Sequence, residues 1–178
     1  MIIKRLSRLD VRAYRLIRLR GLRQCPTSFG SSYSEDAKRP LREFAGLLTR
    51  AAHKWTFGGF EGERLVGVVT LVRDQRRKER HKASIVGLYV DPSMRRKGVA
   101  RALLSHAMET ARKMRGLRQL RLSVTEANQS AVQLYRSLGF SIYGREEDAL
   151  YVRGAFHAEL LLARFIEKQP NQSQVRLP

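Results

Sequence analysis

Hydrophobic positions along this chain recur with two periods, and the switches between them mark where helices give way to strands. Ile2 and Ile3 can open a short strand, after which Asp10 stands as the cap of a helix carrying Val11, Tyr14, Ile17 and Leu22 at helical spacing and ending before Pro26. Thr27 to Lys38, rich in Ser and Gly, reads as a loop, and Pro40 begins a second helix with Leu41, Phe44, Leu47 and Leu48 on one face. From Trp55 the pattern is that of strands: Trp55 to Glu61, a turn over Gly62 to Arg64, Leu65 to Arg73, a polar stretch, then Ala83 to Val90. Three strands at hairpin spacing predict an antiparallel meander.

Asp91 and Pro92 stop the third of these strands, and a glycine turn leads into Val99 to Met114, where Ala100, Leu103, Leu104, Ala107, Ala111 and Met114 share one stripe. Gly116 ends that helix. Leu117 to Val124 reads as another strand, and Asn128 or Ser130 caps a helix with Ala131, Leu134, Tyr135 and Leu138 that Gly139 terminates. Two β segments close the fold, Phe140 to Arg145 and Ala149 to Ala163, the second split into a hairpin at Arg153 and Gly154. The expectation is one α/β domain over residues 1–168, a mixed and mostly antiparallel twisted sheet flanked by about four helices, with a polar tail over 169–178.

Composition changes the picture through charge. Among 178 residues, 35 Lys and Arg face 16 Asp and Glu for a formal +19, while 43% hydrophobic residues argue for a packed core rather than a basic tail. Such a surface attracts polyanions of any kind, so nucleic acid stays open as a partner without being favoured. The densest cluster, Arg73, Arg76, Arg77, Lys78, Arg80 and Lys82, lies between two strands with no interleaved aromatic for base stacking and reads as a solvated hairpin loop. No apolar run approaches the ~18 residues of a membrane span. Lys4, Arg5 and Arg8 precede no apolar stretch of the secretory type, which predicts a cytoplasmic protein. A single cysteine, Cys25, forms no intrachain disulfide, and His53, His81, His106 and His157 show no metal-ligand spacing, so no metal is expected. Cys25 has no adjacent His to make it a nucleophile, and His53 and His157 read as packing or surface residues.

The most informative segment runs from Val90 through Asp91-Pro92-Ser93-Met94-Arg95-Arg96-Lys97-Gly98 to Val99 and Ala100: a strand end, a basic glycine turn and a helix start. Free N–H groups in a first helical turn and the helix dipole favour an anion there, and Gly98 lets the backbone approach it. The turn lacks the Gly-Lys-Ser/Thr of a nucleotide P-loop and the three glycines of a dinucleotide site.

Arg95-Arg96-Lys97-Gly98-Val99-Ala100 resembles the acetyl-CoA motif of the GNAT superfamily of N-acetyltransferases, Arg/Gln-x-x-Gly-x-Gly/Ala between a central strand and a long helix. Asn128 to Phe140 looks like the same family's Asn-x-x-Ala-x-x-x-Tyr-x-x-x-Gly-Phe helix, supplied by Asn128, Ala131, Tyr135, Gly139 and Phe140. The resemblance covers roughly Trp55 to Phe165 and implies a V-shaped splay between the strand ending at Val90 and the strand beginning near Leu117. Pantetheine would lie there against backbone groups of Leu88 and Val90, pyrophosphate on the N–H groups of Arg96 to Arg101, and the thioester carbonyl near the N–H of Tyr89. Tyr135 is implied as the acid for the departing thiolate, with Asn128 either a cofactor contact or only a helix cap.

The attacking amine must lose a proton, for which the resemblance implies a carboxylate or a chain of waters; the strand Ala83 to Val90 contains no carboxylate, Glu126 is a candidate only by its place at the mouth of the next strand, and a water relay stands equally open. The first two helices and the loop Thr27 to Lys38 are expected to wall the acceptor site through Arg18, Phe29, Ser32 and Tyr33. The acceptor is expected to be a small amine, amino-acid-like, whose carboxylate the Arg18 fork would hold in two parallel hydrogen bonds. An amine on a protein or ribosome, or a non-catalytic acyl-CoA- or RNA-binding role, are the alternatives. The β-rich C-terminal segment offers an edge for a homodimer.

Overall fold

A computed structural model describes residues 1–49 and 51–166. The expected tail over 169–178 lies outside the described residues, as do the last two positions of the expected domain. Seven strands, β1 (Ile2–Arg5), β2 (Lys54–Glu61), β3 (Arg64–Arg73), β4 (Lys82–Val90), β5 (Gln119–Thr125), β6 (Ser141–Val152) and β7 (Ala155–Phe165), form one sheet in the order β1-β2-β3-β4-β5-β7-β6. Every neighbouring pair is antiparallel except β4 and β5. Among the described residues there are five α-helices: α1 (Val11–Gln24), α2 (Tyr33–Lys38), α3 (Leu41–Leu47), α4 (Val99–Arg112) and α5 (Gln129–Ser137).

Strand alternation sends side chains to both faces, and each face has its own core. On one side Val66, Val69, Leu71, Ala83 and Ile85 pack against Leu103, Leu104, Ala107 and Ala111 of α4, with Val132 and Tyr135 of α5. On the other, Leu65, Val68 and Tyr89 pack against Tyr14 and Ile17 of α1 and Phe44 of α3. Both faces of the meander are therefore dry, which is why its strands read as continuous apolar runs.

Three details differ from expectation. Asp10 makes no side-chain cap to α1; it closes a capping box back to Ser7, which starts a 3-10 turn one step earlier. The stretch from Thr27 to Lys38 is not all loop, because Ser32 and Glu35 form a reciprocal capping box that starts α2. That helix brings the count to five. The final β segments are not separated at Arg145 to Ala149: β6 runs through, absorbing an irregularity between Glu146 and Leu150 with Asp148 at φ 47°. The turn between β6 and β7 does fall at Arg153 and Gly154, both at positive φ.

Candidate active site

The site exists because two strands stop pairing. β4 and β5 run parallel through Lys82–Gln119, Ala83–Leu120 and Ser84–Arg121, and no pairing between them follows. Gly87, at φ 64°, sits in a bulge of β4 where the register against β3 slips, so Ala83 and Ile85 but then Leu88 and Val90 point to the same face. The Asp91 N–H donates to the Val66 carbonyl at 2.9 Å. Alternation along an antiparallel ladder then turns the backbone of Tyr89 toward β3, opposite Val68, and that of Leu88 and Val90 the other way, into the splay. The N–H expected near Tyr89 to meet a thioester is thus offered by its neighbours, not by Tyr89 itself. The Tyr89 side chain lies across the sheet, its hydroxyl donating to Gln24 Oε1 at 2.6 Å.

An open cavity of about 690 Å³ fills this splay. Of the residues expected from sequence, it brings together Leu88, Tyr89, Asn128, Ala131, Tyr135, Arg18 and Phe29 on its walls. Asn128 caps α5, its side-chain oxygen accepting from the Ala131 N–H at 3.3 Å. Tyr135 is buried, edge-on to Phe140 at 6.1 Å between ring centroids, and burial pushes its phenol up to about 12. A protonated hydroxyl at this wall is the result.

The basic turn lies beyond the cavity lining, at the end of β4. Arg96 at φ 62° and Gly98 at φ 78° place two left-handed residues in one turn, a backbone form that turns N–H groups toward an anion. A Cβ at Gly98 would meet nothing within 4 Å, so the approach to the start of α4 is open. Arg96 and Lys97 are exposed, while Arg95 bends back to the Val90 carbonyl at 3.3 Å. Val99 is buried in the core, Ala100 lies half-buried beside it, and Arg101 reaches Ser137 of α5 at 2.8 Å, tying the two helices. Asp91 anchors the turn: despite burial, which opposes ionisation, bonds from Ser93, Arg64 and Arg20 bring its carboxyl down to about 2.

Glu126 does not join the cavity. It is clasped by Arg145 through three contacts of 2.8–3.1 Å, and that pairing, with its carboxyl held below the usual range, leaves it a poor proton acceptor. The carboxylate on the cavity wall, among the described residues, is instead Glu159 of β7, opposite Thr125 of β5. Only its place in an alternating strand could have marked it beforehand. Ser32 and Tyr33 are turned to structural work as well, Ser32 capping α2 and the Tyr33 hydroxyl accepting from Arg23 at 2.6 Å. The Arg18 fork is partly occupied: Nε donates to the buried Asp36 at 2.9 Å and Nη2 to Ser31 at 3.0 Å, so a two-bond grip on a carboxylate through these nitrogens is not available. Sequence reading also missed Arg39, Lys54 and Arg121, which line the same cavity from three different elements or loops. Cys25 lies 3.6 Å from Arg95, and no group of His, Cys, Asp and Glu among the described residues could hold a metal. No described helix is long and apolar enough to cross a membrane.

Residues 18–140 match the acetyltransferase (GNAT) family. The ribosomal protein bS18-alanine N-acetyltransferase of Escherichia coli K12 is 42% identical over 60 residues, which are 34% of this chain and 40% of that protein. Streptothricin acetyltransferase of Streptomyces lavendulae is 38% identical over 78 residues, 44% of this chain and 40% of that one. The matches thus span about two fifths of the length of these curated relatives. A crystal structure of a GNAT-family acetyltransferase from Streptococcus pneumoniae superposes with a TM-score of 0.80 at 27% identity, covering 93% of this chain and 99% of that one.

Proposed function

The chain belongs to the acetyltransferase (GNAT) family, and from that premise we propose that it transfers an acetyl group from acetyl-CoA directly to a primary amine of a small molecule. The observation that carries this reading is the convergence, on one cavity in the β4–β5 splay, of Leu88, Tyr135 and Glu159, with the backbone of Leu88 turned away from β3 and Val90 following it on the same unpaired strand edge. The residues present fit the cofactor: open backbone at Gly98 suits a diphosphate, and an unpaired strand edge suits an extended pantetheine chain. Bound acetyl-CoA supplies the acetyl group as an activated thioester.

The chain's own groups do the rest. Backbone N–H groups of Leu88 and Val90 orient the extended chain and favour charge on a carbonyl oxygen placed against them. Glu159 takes the proton that an ammonium must lose before its nitrogen can attack. Tyr135 holds at Oη the proton that a leaving sulfur needs. The dry wall that raises this phenol also raises the proton affinity of a thiolate set beside it, so distance rather than acidity governs the transfer.

The likeness to the bS18-alanine enzyme favours a protein N-terminus as the second acceptor class. Thiol release from acetyl-CoA, measured across small amines and N-terminal peptides with the product identified by mass spectrometry, tests both. Release that depends on a small amine is expected; release only with peptides would move the assignment to the second class, and no amine-dependent release would overturn the function.

A further inference from the structure

The cavity wall formed by α1, β2 and β3 holds a cation that has no counter-ion among the described residues. Lys54 opens β2 opposite Val72 of β3, and the next residue on its face, Thr56, is buried and bonded to Thr70 Oγ1 at 3.0 Å. The Lys54 side chain is half-buried on the cavity wall, and among the described residues no carboxylate or hydrogen-bond acceptor meets its ammonium. Removal from water, and secondly the Arg18 guanidinium nearby, hold its pKa below the usual lysine value. Two cations facing one cavity repel each other, an arrangement that an anion between them would relieve.

The other charges at this end are already matched. Asp36, fully buried, accepts from Arg18 Nε at 2.9 Å, and its other oxygen, without a hydrogen bond, is ion-paired with Arg39 Nη1 at 3.4 Å; Arg39 also reaches Glu43 at 3.9 Å. Arg18 Nη2 goes to Ser31. That leaves Arg18 Nη1, which lies 3.7 Å from where a Cβ on Gly87 would stand, at the bulge that opens the splay. Among the described residues, then, a guanidinium nitrogen without a hydrogen-bond partner sits beside the point where β4 and β5 part, and an ammonium without one sits on β2.

Resting on the acetyl-transfer reading above, we propose that Lys54 Nζ and Arg18 Nη1 form an oxyanion subsite that holds a carboxylate or phosphate group of the acceptor while its amine points toward the β4–β5 splay. The buried Asp36 acts as a positioning group: it fixes Arg18 by one edge and leaves the opposite nitrogen for the ligand. Glu159, the one carboxylate among the described residues of the wall, is on β7, so an acceptor with an anion at one end and an ammonium at the other meets complementary charge at both. Polycationic acceptors meet Arg18 and Lys54 instead and are disfavoured.

The test uses three matched amines, one uncharged elsewhere, one bearing a carboxylate and one a phosphate, with the full-length protein and its Lys54→Met and Lys54→Arg variants. The wild type should prefer an anionic amine over its uncharged partner by at least about tenfold in kcat/KM, with the two anionic arms showing which oxyanion the subsite takes. Lys54→Met should erase that preference mainly through KM, and Lys54→Arg should restore most of it. Succinate, which has no amine, should compete with the acceptor in the wild type and not in Lys54→Met; its direct titration by calorimetry reads the subsite even if no amine is acetylated. Thermal melting should place Lys54→Met at or above the wild type, because a poorly solvated cation has been removed. Equal kcat/KM for charged and uncharged amines, a preference for polyamines, or succinate binding unaltered by Lys54→Met would overturn the subsite. Absence of transfer to every amine with succinate binding intact would overturn the function and leave the subsite standing.

Discussion

The α5 wall of the cavity is nearly uncharged, with Ala131 and Tyr135 packed into the core behind it, whereas the α1 and β2 wall opposite carries Arg18 and Lys54, with Arg39 between them in sequence. Beside the α5 wall the features offered to a cofactor are backbone ones: a bulge at Gly87 and a strand edge at Leu88 and Val90 on β4, and, beyond the cavity, a helix start after Gly98. The second works through long side chains that converge from segments far apart in the chain. Backbone geometry suits the part of a reaction that is the same for every acceptor, and side-chain charge suits the part that selects one acceptor from another. Variants on the two walls should therefore fail differently, and that difference can be measured.

Tyr135→Phe gives the largest expected effect. Loss of the proton held at Oη should lower kcat by about 10² to 10⁴ for every acceptor alike, with acetyl-CoA affinity retained, since the ring and its contact with Phe140 remain. Near-wild-type kcat, under conditions where chemistry limits turnover, would reduce Tyr135 to packing and blur the distinction between the walls.

Glu159→Gln should cost less, about tenfold in kcat/KM near neutral pH, because water can carry part of the proton transfer. Its signature is a pH dependence: the deficit should shrink as pH rises toward the acceptor's own amine pKa, where more of the amine is already unprotonated. A deficit that stays constant with pH would make Glu159 an electrostatic contact to the ammonium rather than a proton acceptor.

How far the sequence alone reveals the molecule follows the same division. The meander, the α4 stripe, the helix after Asn128 and the glycine turn are legible because local periodicity and turn chemistry dictate them. Asn128, Ala131 and Tyr135 line the cavity because a short motif fixes their place on α5, and Leu88 because it lies at the end of a strand that the pattern marks. The facing of Tyr89 is not legible, since it depends on a one-residue slip against β3 that spacing does not announce. Glu126 misleads for a related reason: it stands at the mouth of β5, but Arg145, on another strand, captures it. Ser32 and Tyr33 stand off the wall because the Ser32-to-Glu35 capping box, which the sequence spells out, makes them a helix start. Lys54 and Glu159 became visible only when the sheet order set β2 and β7 around one opening.

Calorimetric titration of acetyl-CoA into the wild type, Gly98→Glu and Lys54→Met tests the central claim most directly, that the cofactor is held by the backbone of the α4 turn and the acceptor by the opposite wall. A side chain at Gly98 would stand in open space at φ 78°, so the fold should tolerate it at a cost of about 1 kcal/mol while the approach to the turn is blocked. The account predicts at least a tenfold loss of acetyl-CoA affinity, about 1.4 kcal/mol, in Gly98→Glu and none in Lys54→Met. Wild-type affinity in Gly98→Glu, or weakened acetyl-CoA binding in Lys54→Met, would contradict it.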